Sequence, residues 1–272
     1  KIDESDSVNK FNLSYSINDD LMVYGTYSEG YRPGGLNRLS VTAIAGAYQA
    51  DILTSHEIGM KGTFVDGRLR LNAAYYTQEW DDFQLSKIDT SVSVLTLTDN
   101  VGNAESDGLE IEGSFLITEN WDINFGLSAI DSVLNESYWV NPAAEAAGLA
   151  PNAPAGNELP RVPDLKWNLA TRYNFELMGM PAFIQGSYTS VGESYNLLYD
   201  IDPVSRTRKK QDGYQVGHVA LGVEQDRWSA ELFVKNISDE RGEVFINGAT
   251  YDQRITTVRP RTIGLRFRHK FD

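Results

Sequence analysis

Histidine is the residue type best suited to acid–base chemistry near neutral pH, and the chain has three histidines. His56, His218 and His269 are separated by long stretches of sequence and fall on different predicted strands. No Ser/His/Asp arrangement can be assembled from their spacing, and the chain has no cysteine to act as a nucleophile. The sequence therefore predicts no catalytic residues and a protein that is not an enzyme.

Acidic residues in the connecting segments are the candidate metal ligands. They are Asp81, Asp82, Asp99, Asp131, Glu136, Asp200 and Asp202. Carboxylates bind Ca²⁺, but none of these residues has the spacing of an EF-hand loop. We therefore expect neither a metal site nor a cofactor, and we interpret these carboxylates as part of a solvated rim.

The net charge of −14 disfavours nucleic acid and other polyanionic partners. The composition, 41% hydrophobic and 23% charged over 272 residues, is typical of a folded protein. No stretch approaches the roughly 18 consecutive apolar residues that a membrane-spanning helix needs. Barrel strands carry apolar residues at alternate positions only, so the composition remains compatible with a membrane barrel.

Alternation of apolar and polar residues is the dominant pattern, and it predicts β-strands. Leu165, Trp167 and Leu169, for example, alternate with Lys166 and Asn168. The predicted strands run for about 9 to 14 residues, which is longer than most strands of globular proteins and close to the about 9 to 11 that a tilted membrane-spanning strand needs. The fold class is therefore predicted to be all-β, an antiparallel transmembrane β-barrel, in preference to a soluble β-sandwich.

Charged residues fall on the polar side of these strands. They are Arg68, Arg70, Glu110, Glu112, Lys166, Arg172, Glu176, Glu231, Lys235, Arg266 and Arg268. A charge facing lipid at the midplane costs about 2 to 4 kcal/mol, so this side should face an aqueous interior where neighbouring strands pair charges. We expect their role to be structural more often than direct contact with a substrate.

The connections alternate between short and long. Short turns are centred on Asp19, Asp66, Glu119, Gly179 and Asp226, and the long connections run roughly over 32–52, 80–103, 132–163, 196–212 and 239–259. Outer-membrane barrels have short periplasmic turns and long extracellular loops. The pattern gives about eleven strands, an odd number, whereas bacterial single-chain barrels have even numbers. We therefore expect the chain to be part of a larger barrel, with bulges at 21–31 and 214–224 where the alternation slips.

Two long connections have unusual composition. The segment from Ser132 to Pro163 contains five of the nine prolines, which predicts either an ordered functional loop or a disordered surface loop. A basic cluster in the next loop comprises Arg206, Arg208, Lys209 and Lys210. It would meet lipopolysaccharide phosphates or an anionic ligand, or it would simply be solvated.

An ordered set of segments resembles one family, the TonB-dependent outer-membrane receptors. The segments are YSEGYRPGGLNR (27–38), EIGMKG (57–62), DGRLRLNAAYYTQEWDDFQ (66–84), NVGNAESDGLEIEG (100–113), ELPRVPD (158–164), LFVKNISDER (232–241) and the closing RPRTIGLRFRHKF. The resemblance implies a 22-strand barrel around an N-terminal plug. Residues 1–272 would be the C-terminal portion of that barrel, and the plug and the first barrel half would lie upstream.

The resemblance also implies a function in the bacterial outer membrane. The protein would be a receptor for TonB-energised uptake of a scarce nutrient, most often a ferric siderophore, with cobalamin or a glycan as alternatives. A passive porin shares the barrel physics and stays open as a different class. The implied partners are the TonB–ExbB–ExbD complex, reached through the upstream part, a small-molecule ligand, outer-membrane lipid and lipopolysaccharide, and the barrel assembly machinery.

The candidate site residues are chosen by their positions, either at the predicted extracellular rim or near the end of the chain. Tyr31, Arg32, Trp80 and Trp139 are the candidate ligand-binding residues, although such residues more often brace a loop. Phe267 and Phe271 resemble the terminal aromatic signal read by the assembly machinery, although Asp272 follows the last aromatic. Asn236 and Asp239 are expected to cap the turn into the last long loop through side-chain hydrogen bonds.

Overall fold

The computed structural model describes residues 6–37, 46–88, 96–200, 208–247 and 253–271. Its strands are β1 (Lys10–Asn18), β2 (Leu21–Arg32), β3 (Gly35–Leu36), β4 (Ala47–Tyr48), β5 (Asp51–Phe64), β6 (Leu69–Asp81), β7 (Gln84–Ile88), β8 (Thr96–Asn100), β9 (Ala104–Thr118), β10 (Trp121–Leu134), β11 (Leu165–Leu177), β12 (Met180–Val191), β13 (Ser194–Tyr195), β14 (Lys210–Gln211), β15 (Tyr214–Glu224), β16 (Trp228–Lys235), β17 (Glu243–Ile246), β18 (Ile255–Thr257) and β19 (Thr262–His269). One short helix, α1 (Pro142–Ala146), follows β10. No helix in the described ranges is long and apolar enough to span a membrane.

Eleven of these strands form one antiparallel sheet in the order β1-β2-β5-β6-β9-β10-β11-β12-β15-β16-β19. Each strand pairs with its neighbours along the chain, because short turns connect the strands at one end of the sheet and long loops connect them at the other. The remaining strands form hairpins within four of the long loops. The predicted count of eleven antiparallel strands is confirmed.

Register divides the sheet into two faces, because directly paired residues of antiparallel strands point to the same side. Glu112 pairs with Asn72 and Gly126, and Gly126 pairs with Asn168. The predicted charged residues that lie in strands share this polar face, called the inner face below, while Arg68 lies in the turn before β6. The opposite, outer face carries exposed apolar side chains such as Leu13 and Leu265. The predicted separation of charged and apolar faces is confirmed.

The bulges predicted at 21–31 and 214–224 are wrong. The pairing of β2 with β5 runs without interruption from Leu21 opposite Gly62 to Arg32 opposite Asp51, and β15 pairs evenly with β12 and β16. The alternation slips in the sequence because β2 has an aromatic residue, Tyr24, on the inner face. The nearest register shift lies in the partner strand β1, between Ser16 and Asn18.

The proline-rich connection between β10 and β11 is a packed segment. Leu134, Tyr138, Ala153 and Leu159 are buried in it. It has no regular ladder and only two isolated bridges, Val133–Glu158 and Tyr138–Ala153, because proline has no backbone N–H to donate to a ladder. Of the two expectations for this loop, the ordered one holds.

Candidate functional site

The inner face is lined by ion pairs between different strands of the sheet. Arg266 and Glu231 are direct register partners in β19 and β16, and Arg266 Nη1 donates to Glu231 Oε1 at 2.8 Å. Arg172 Nη2 lies 3.1 Å from Glu224 Oε2, and its guanidinium carbon lies 3.7 Å from the centre of the Phe183 ring. The predicted pairing of charges on this face is confirmed. The pairs give the sheet a wall that is compatible with water.

Two shallow grooves indent this wall, with volumes of about 580 and 380 Å³. The first includes Arg172, Lys235 and Arg266, and the second includes Glu110 and Glu112. Both grooves contain cationic and anionic side chains that can form hydrogen bonds. The inner face can therefore hold a hydrophilic ligand or a polar polypeptide segment, but it is poorly suited to an apolar one.

A buried carboxylate organises the loop end of the sheet. Asp51 is 2% exposed, and both of its oxygens accept bonds at 2.9 Å from Arg32 Nε, with a further contact to Arg32 Nη2. The backbone N–H of Gln84 donates to Asp51 Oδ2 at 3.1 Å. The Gln84 side chain in turn donates to the carbonyls of Pro33 and Gln49, at 3.1 and 2.9 Å. We call Arg32, Asp51 and Gln84 the clasp, since they join the loop after β2 to the loop after β6.

Two of the four candidate ligand residues lie together, because both contact Phe83. The Arg32 guanidinium lies 5.7 Å from the centre of the Phe83 ring, and the Trp80 ring lies edge-on to Phe83 with 5.9 Å between centres. Trp139 lies in another loop, where its Nε1 donates to the Leu149 carbonyl at 2.8 Å. Tyr31 pairs with Ile52 on the outer face, so it points away from Arg32.

Three long loops share one hydrophobic core on the inner side of the loop end. It consists of Val101, Ala104, Leu134, Tyr138, Ala153, Leu159, Leu198 and Tyr199, with Trp80 and Phe83 packed against it. The Tyr138 hydroxyl donates to Asp99 Oδ2 at 2.6 Å, and its ring lies 5.6 Å from the Tyr199 ring. We call these residues the loop core. It holds the loops after β6, β10 and β12 in one arrangement above the inner wall.

The last long loop is held at its start by Asn236 and Asp239, as predicted. The Asn236 side chain is 2% exposed and bonds with the backbone N–H and carbonyl of Glu240 and with the carbonyl of Arg259. Asp239 Oδ1 accepts the backbone N–H of Arg261 at 2.8 Å. That bond lowers the pKa of Asp239, and the nearby guanidinium of Arg241 lowers it further.

The histidines do not converge. His56 lies on the outer face with its ring 5.1 Å from Tyr27, and His269 lies at the turn end of β19, 4.8 Å from Phe271. His218 lies on the inner face, where its Nδ1 accepts the backbone N–H of Asn236 at 2.9 Å. Across the ranges that the structure describes, no three metal-ligating side chains come together either. Part of the acidic and basic loop sets, Asp202 and Arg206, lies outside those ranges.

The terminal aromatics are both solvent-accessible in the isolated sheet. Phe267 is on the outer face and stacks on Trp228 with 6.1 Å between ring centres. Phe271 follows the end of β19 and is 89% exposed. The backbone N–H of Lys270 still donates to the carbonyl of Arg227 at 2.8 Å, so the strand pairing reaches almost to Phe271.

A two-faced antiparallel sheet with a charged inner wall, an apolar outer face and packed loops at one end is typical of the wall of a membrane-spanning β-barrel. A family model described as TonB dependent receptor-like, beta-barrel matches residues 3–237. This chain belongs to the TonB-dependent receptor family and forms part of the receptor's β-barrel. Members of the family are proteins of the Gram-negative outer membrane, so the sheet lies in that membrane. Barrels of this membrane have short periplasmic turns and long extracellular loops, which assigns the long loops of this sheet to the extracellular side.

Individual relatives are distant but cover most of the chain. The pesticin receptor of Yersinia pestis is 22% identical over 279 residues, which span 100% of this chain and 37% of that protein. A probable TonB-dependent siderophore receptor of Acinetobacter baumannii, PiuA, is 27% identical over 169 residues, covering 59% of this chain and 21% of PiuA. The crystal structure of the ferric yersiniabactin uptake receptor FyuA from Yersinia pestis superposes with a TM-score of 0.75 at 21% identity, over 97% of this chain and 37% of FyuA. The matches thus span from 21% to 37% of the length of these relatives.

The clasp gives a prediction about local stability. Asp51→Asn keeps the shape of the side chain but removes its charge, so the bonds from Arg32 and Gln84 weaken. Charge-assisted hydrogen bonds contribute about 1.5 to 3 kcal/mol, so amide exchange at Gln84 should become about 10- to 100-fold faster. Hydrogen-exchange mass spectrometry of the full-length receptor measures this directly. Asp107→Asn, on the exposed outer face, is the matched control, and equal exchange in the two variants would contradict the assignment.

Proposed function

We propose that this chain is the C-terminal portion of a receptor that imports a ferric siderophore across the outer membrane with energy from the TonB–ExbB–ExbD complex. The observation that carries the proposal is the family match over residues 3–237, together with relatives that are named as siderophore receptors. The polar inner wall supports it, because a hydrophilic iron chelate must pass along a surface that water also tolerates. The loop core supports it by fixing the extracellular loops above that wall.

The unpaired edges of the sheet support the proposed domain organisation. In the described sheet, β1 and β19 each pair on one side only. An unpaired backbone N–H or C=O in hydrocarbon costs several kcal/mol, so both edges need further strands to close a barrel. Since β1 and β19 run in the same direction, antiparallel closure takes an odd number of additional strands. A first barrel half of eleven strands meets this condition, and we place it upstream together with the plug.

We further propose that the ligand is met at the extracellular end by Arg32, Trp80 and Trp139, with Tyr31 at the outer edge of the rim. Arg32 is half-exposed although it belongs to the clasp, so one side of its guanidinium remains open to an anionic chelate. Trp80 and Trp139 are both half-buried, which leaves ring surface for an aromatic or apolar part of the ligand.

An uptake experiment tests the proposed function. Cells that lack their own siderophore receptors and express the full-length protein are supplied with radioactive iron bound to a catecholate, a hydroxamate or a phenolate–thiazoline siderophore. We expect accumulation from at least one chelate, and its loss when TonB is deleted, because the plugged barrel needs energy to open. Cyanocobalamin and a maltooligosaccharide are tested in parallel.

Each alternative class has its own signature in that experiment. Uptake of cyanocobalamin or the oligosaccharide in place of iron would replace the substrate class and leave the receptor function intact. Steady ion conductance of the purified receptor in planar bilayers, with uptake that does not depend on TonB, would instead establish a passive channel and refute the proposal.

The clasp allows a ligand-contact role of Arg32 to be separated from its bracing role. Arg32→Ala and Asp51→Asn both disrupt the clasp, but only the first removes the guanidinium. If Arg32 contacts the ligand, Arg32→Ala should weaken binding of the transported chelate by about tenfold relative to Asp51→Asn, which is the loss of one charge-assisted bond. Calorimetry on the two purified variants measures the difference. Equal affinities would leave Arg32 as a brace alone.

We also propose that Phe267 and Phe271 form the signal recognised by the barrel assembly machinery. Phe271 is almost fully exposed at the periplasmic end of the last strand, where a partner strand can reach it. Phe271→Ser should lower the amount of heat-modifiable, folded receptor in outer-membrane fractions several-fold, while Arg268→Ser on the inner face should not. Normal folded amounts of Phe271→Ser would refute this role.

A further inference from the structure

The last long loop leaves the sheet at a point where the strand ladder has one extra residue. The regular pairing of β15 and β16 ends at the pair His218–Lys235. The backbone N–H of Ile237 then donates to the Gly217 carbonyl at 2.9 Å, so Asn236 is inserted between the two paired positions. Asn236 has a φ of 54°, in the left-handed region that asparagine tolerates. Its own N–H therefore has no acceptor in the ladder.

The side chain of His218 supplies the missing acceptor. Its Nδ1 accepts the Asn236 N–H at 2.9 Å, and Asn236 is buried, so water has little access to this bond. A histidine nitrogen accepts a hydrogen bond only when it carries no proton, whereas both ring nitrogens are donors in the charged ring. Turning the ring over cannot restore the bond once the ring is charged. Only neutral histidine can therefore hold Asn236 against the sheet.

The side chain of Asn236 ties the two ends of the last loop together. Its Oδ1 accepts the backbone N–H of Glu240 at 2.9 Å, and its Nδ2 donates to the carbonyls of Glu240 and Arg259 at 2.9 and 2.8 Å. Glu240 is near the start of the loop and Arg259 is near its end, and β17 and β18 lie between them. Release of the Asn236 backbone would therefore loosen both ends of the loop at once.

A proton on His218 would also place two cations side by side. Lys235 is the direct register partner of His218 on β16, and the partner on β12 is the uncharged Ser187. Like charges directly opposite each other destabilise a strand pair. The other charged residues of the groove that contains His218 are Asp122, Arg172, Glu231 and Arg266. Glu231 is already paired with Arg266, and Asp122 lies on β10, three strands away from β15.

We propose that His218 and Asn236 form an acid-sensitive joint that releases the last extracellular loop. The ordinary pKa of histidine is about 6.5. Because the neutral ring makes the bond, the stability of the joint is present above this pH and is lost as the pH falls below it. The inner face is open to water, so the joint responds to the pH of the surrounding medium. The proposal concerns the control of one loop and does not rest on the proposed uptake function.

The carboxylate that follows the joint does not titrate in the same range. Asp239 accepts the backbone N–H of Arg261, and this bond lowers the pKa of Asp239, as does the nearby guanidinium of Arg241. Asp239 therefore stays charged in mild acid and continues to hold its partner. The remaining charged residues on this side of the joint, Glu240 and Arg259, bond to Asn236 through their backbone groups. Mild acid should thus act on the joint through the histidine.

Hydrogen exchange of the full-length receptor measures the state of the joint. Protection of the Asn236 and Glu240 amides is compared at about pH 7.5 and about pH 5, with exchange times scaled to the intrinsic rate at each pH. We expect protection to be about tenfold lower in acid, which corresponds to the loss of one hydrogen bond. The paired amides of β11 and β12 are the internal reference and should be equally protected at both pH values.

Three variants make the result decisive. His218→Asn places an amide oxygen at the position of Nδ1 but cannot gain a proton, so protection should stay high at both pH values. His218→Phe keeps a ring but removes the acceptor, so protection should be low at both. His56→Asn, on the outer face, is the matched control and should keep the pH dependence of the unmodified receptor.

Heat-modifiable mobility verifies that each variant is folded, and His218→Asn decides alone if His218→Phe does not fold. Equal protection of the unmodified receptor at the two pH values would overturn the proposal. It would also be overturned if His218→Asn kept the pH dependence, or if folded His218→Phe were as well protected as the unmodified receptor at about pH 7.5.

Discussion

The whole structure depends on one constraint: a backbone in hydrocarbon must pair every N–H and C=O with another part of the protein. Strands meet this constraint only when they are long, evenly registered and joined to neighbours on both sides. The eleven-stranded sheet shows the result, with each strand paired to the next along the chain. Even where the sequence alternation slips, β2 keeps an unbroken register with β5, and β15 keeps one with β12 and β16. Where the alternation of side chains is irregular, the backbone pairing is still regular.

The pairing of the strands determines which side of the sheet each residue faces, and this in turn determines whether its side chain meets water or lipid. Because neighbouring residues of a strand point to opposite sides, a single register places Glu231 and Arg266 on the inner wall and Leu232 and Leu265 in the lipid. The inner wall then satisfies its charges across strands. Outside the hydrocarbon this pairing constraint does not apply, because water can form hydrogen bonds with backbone N–H and C=O groups there. The chain accordingly turns to short hairpins, a single-turn helix and side-chain bonds such as those of Asp51 and Asn236.

Local sequence predicted what depends on local periodicity. Strand count, strand length, turn positions and the charged face all follow from a period of two, and the cap at Asn236 follows from residue type at a turn. The clasp could not be predicted from the sequence, because Asp51 and Gln84 are distant in the chain and meet only when neighbouring hairpins pair in the sheet. The buried role of Leu198 and Tyr199 was missed for the same reason, since nothing near them in sequence indicates the core they join. The four loop hairpins were also missed, because their strands are too short to show alternation.

The loop core makes three of the five long loops a single cooperative unit and not a set of independent connections. Leu134, Tyr138 and Leu159 from one loop pack with Leu198 and Tyr199 from another and with Val101 from a third. A chimera that exchanges one of these loops with a relative would bring side chains shaped for a different set of neighbours. The smallest module that can be transplanted intact is thus the group of three loops with their shared interior. When such receptors evolve to recognise different ligands, we therefore expect several loops to change together. Residues of these loops that covary in sequence would then be those that pack against each other in the loop core.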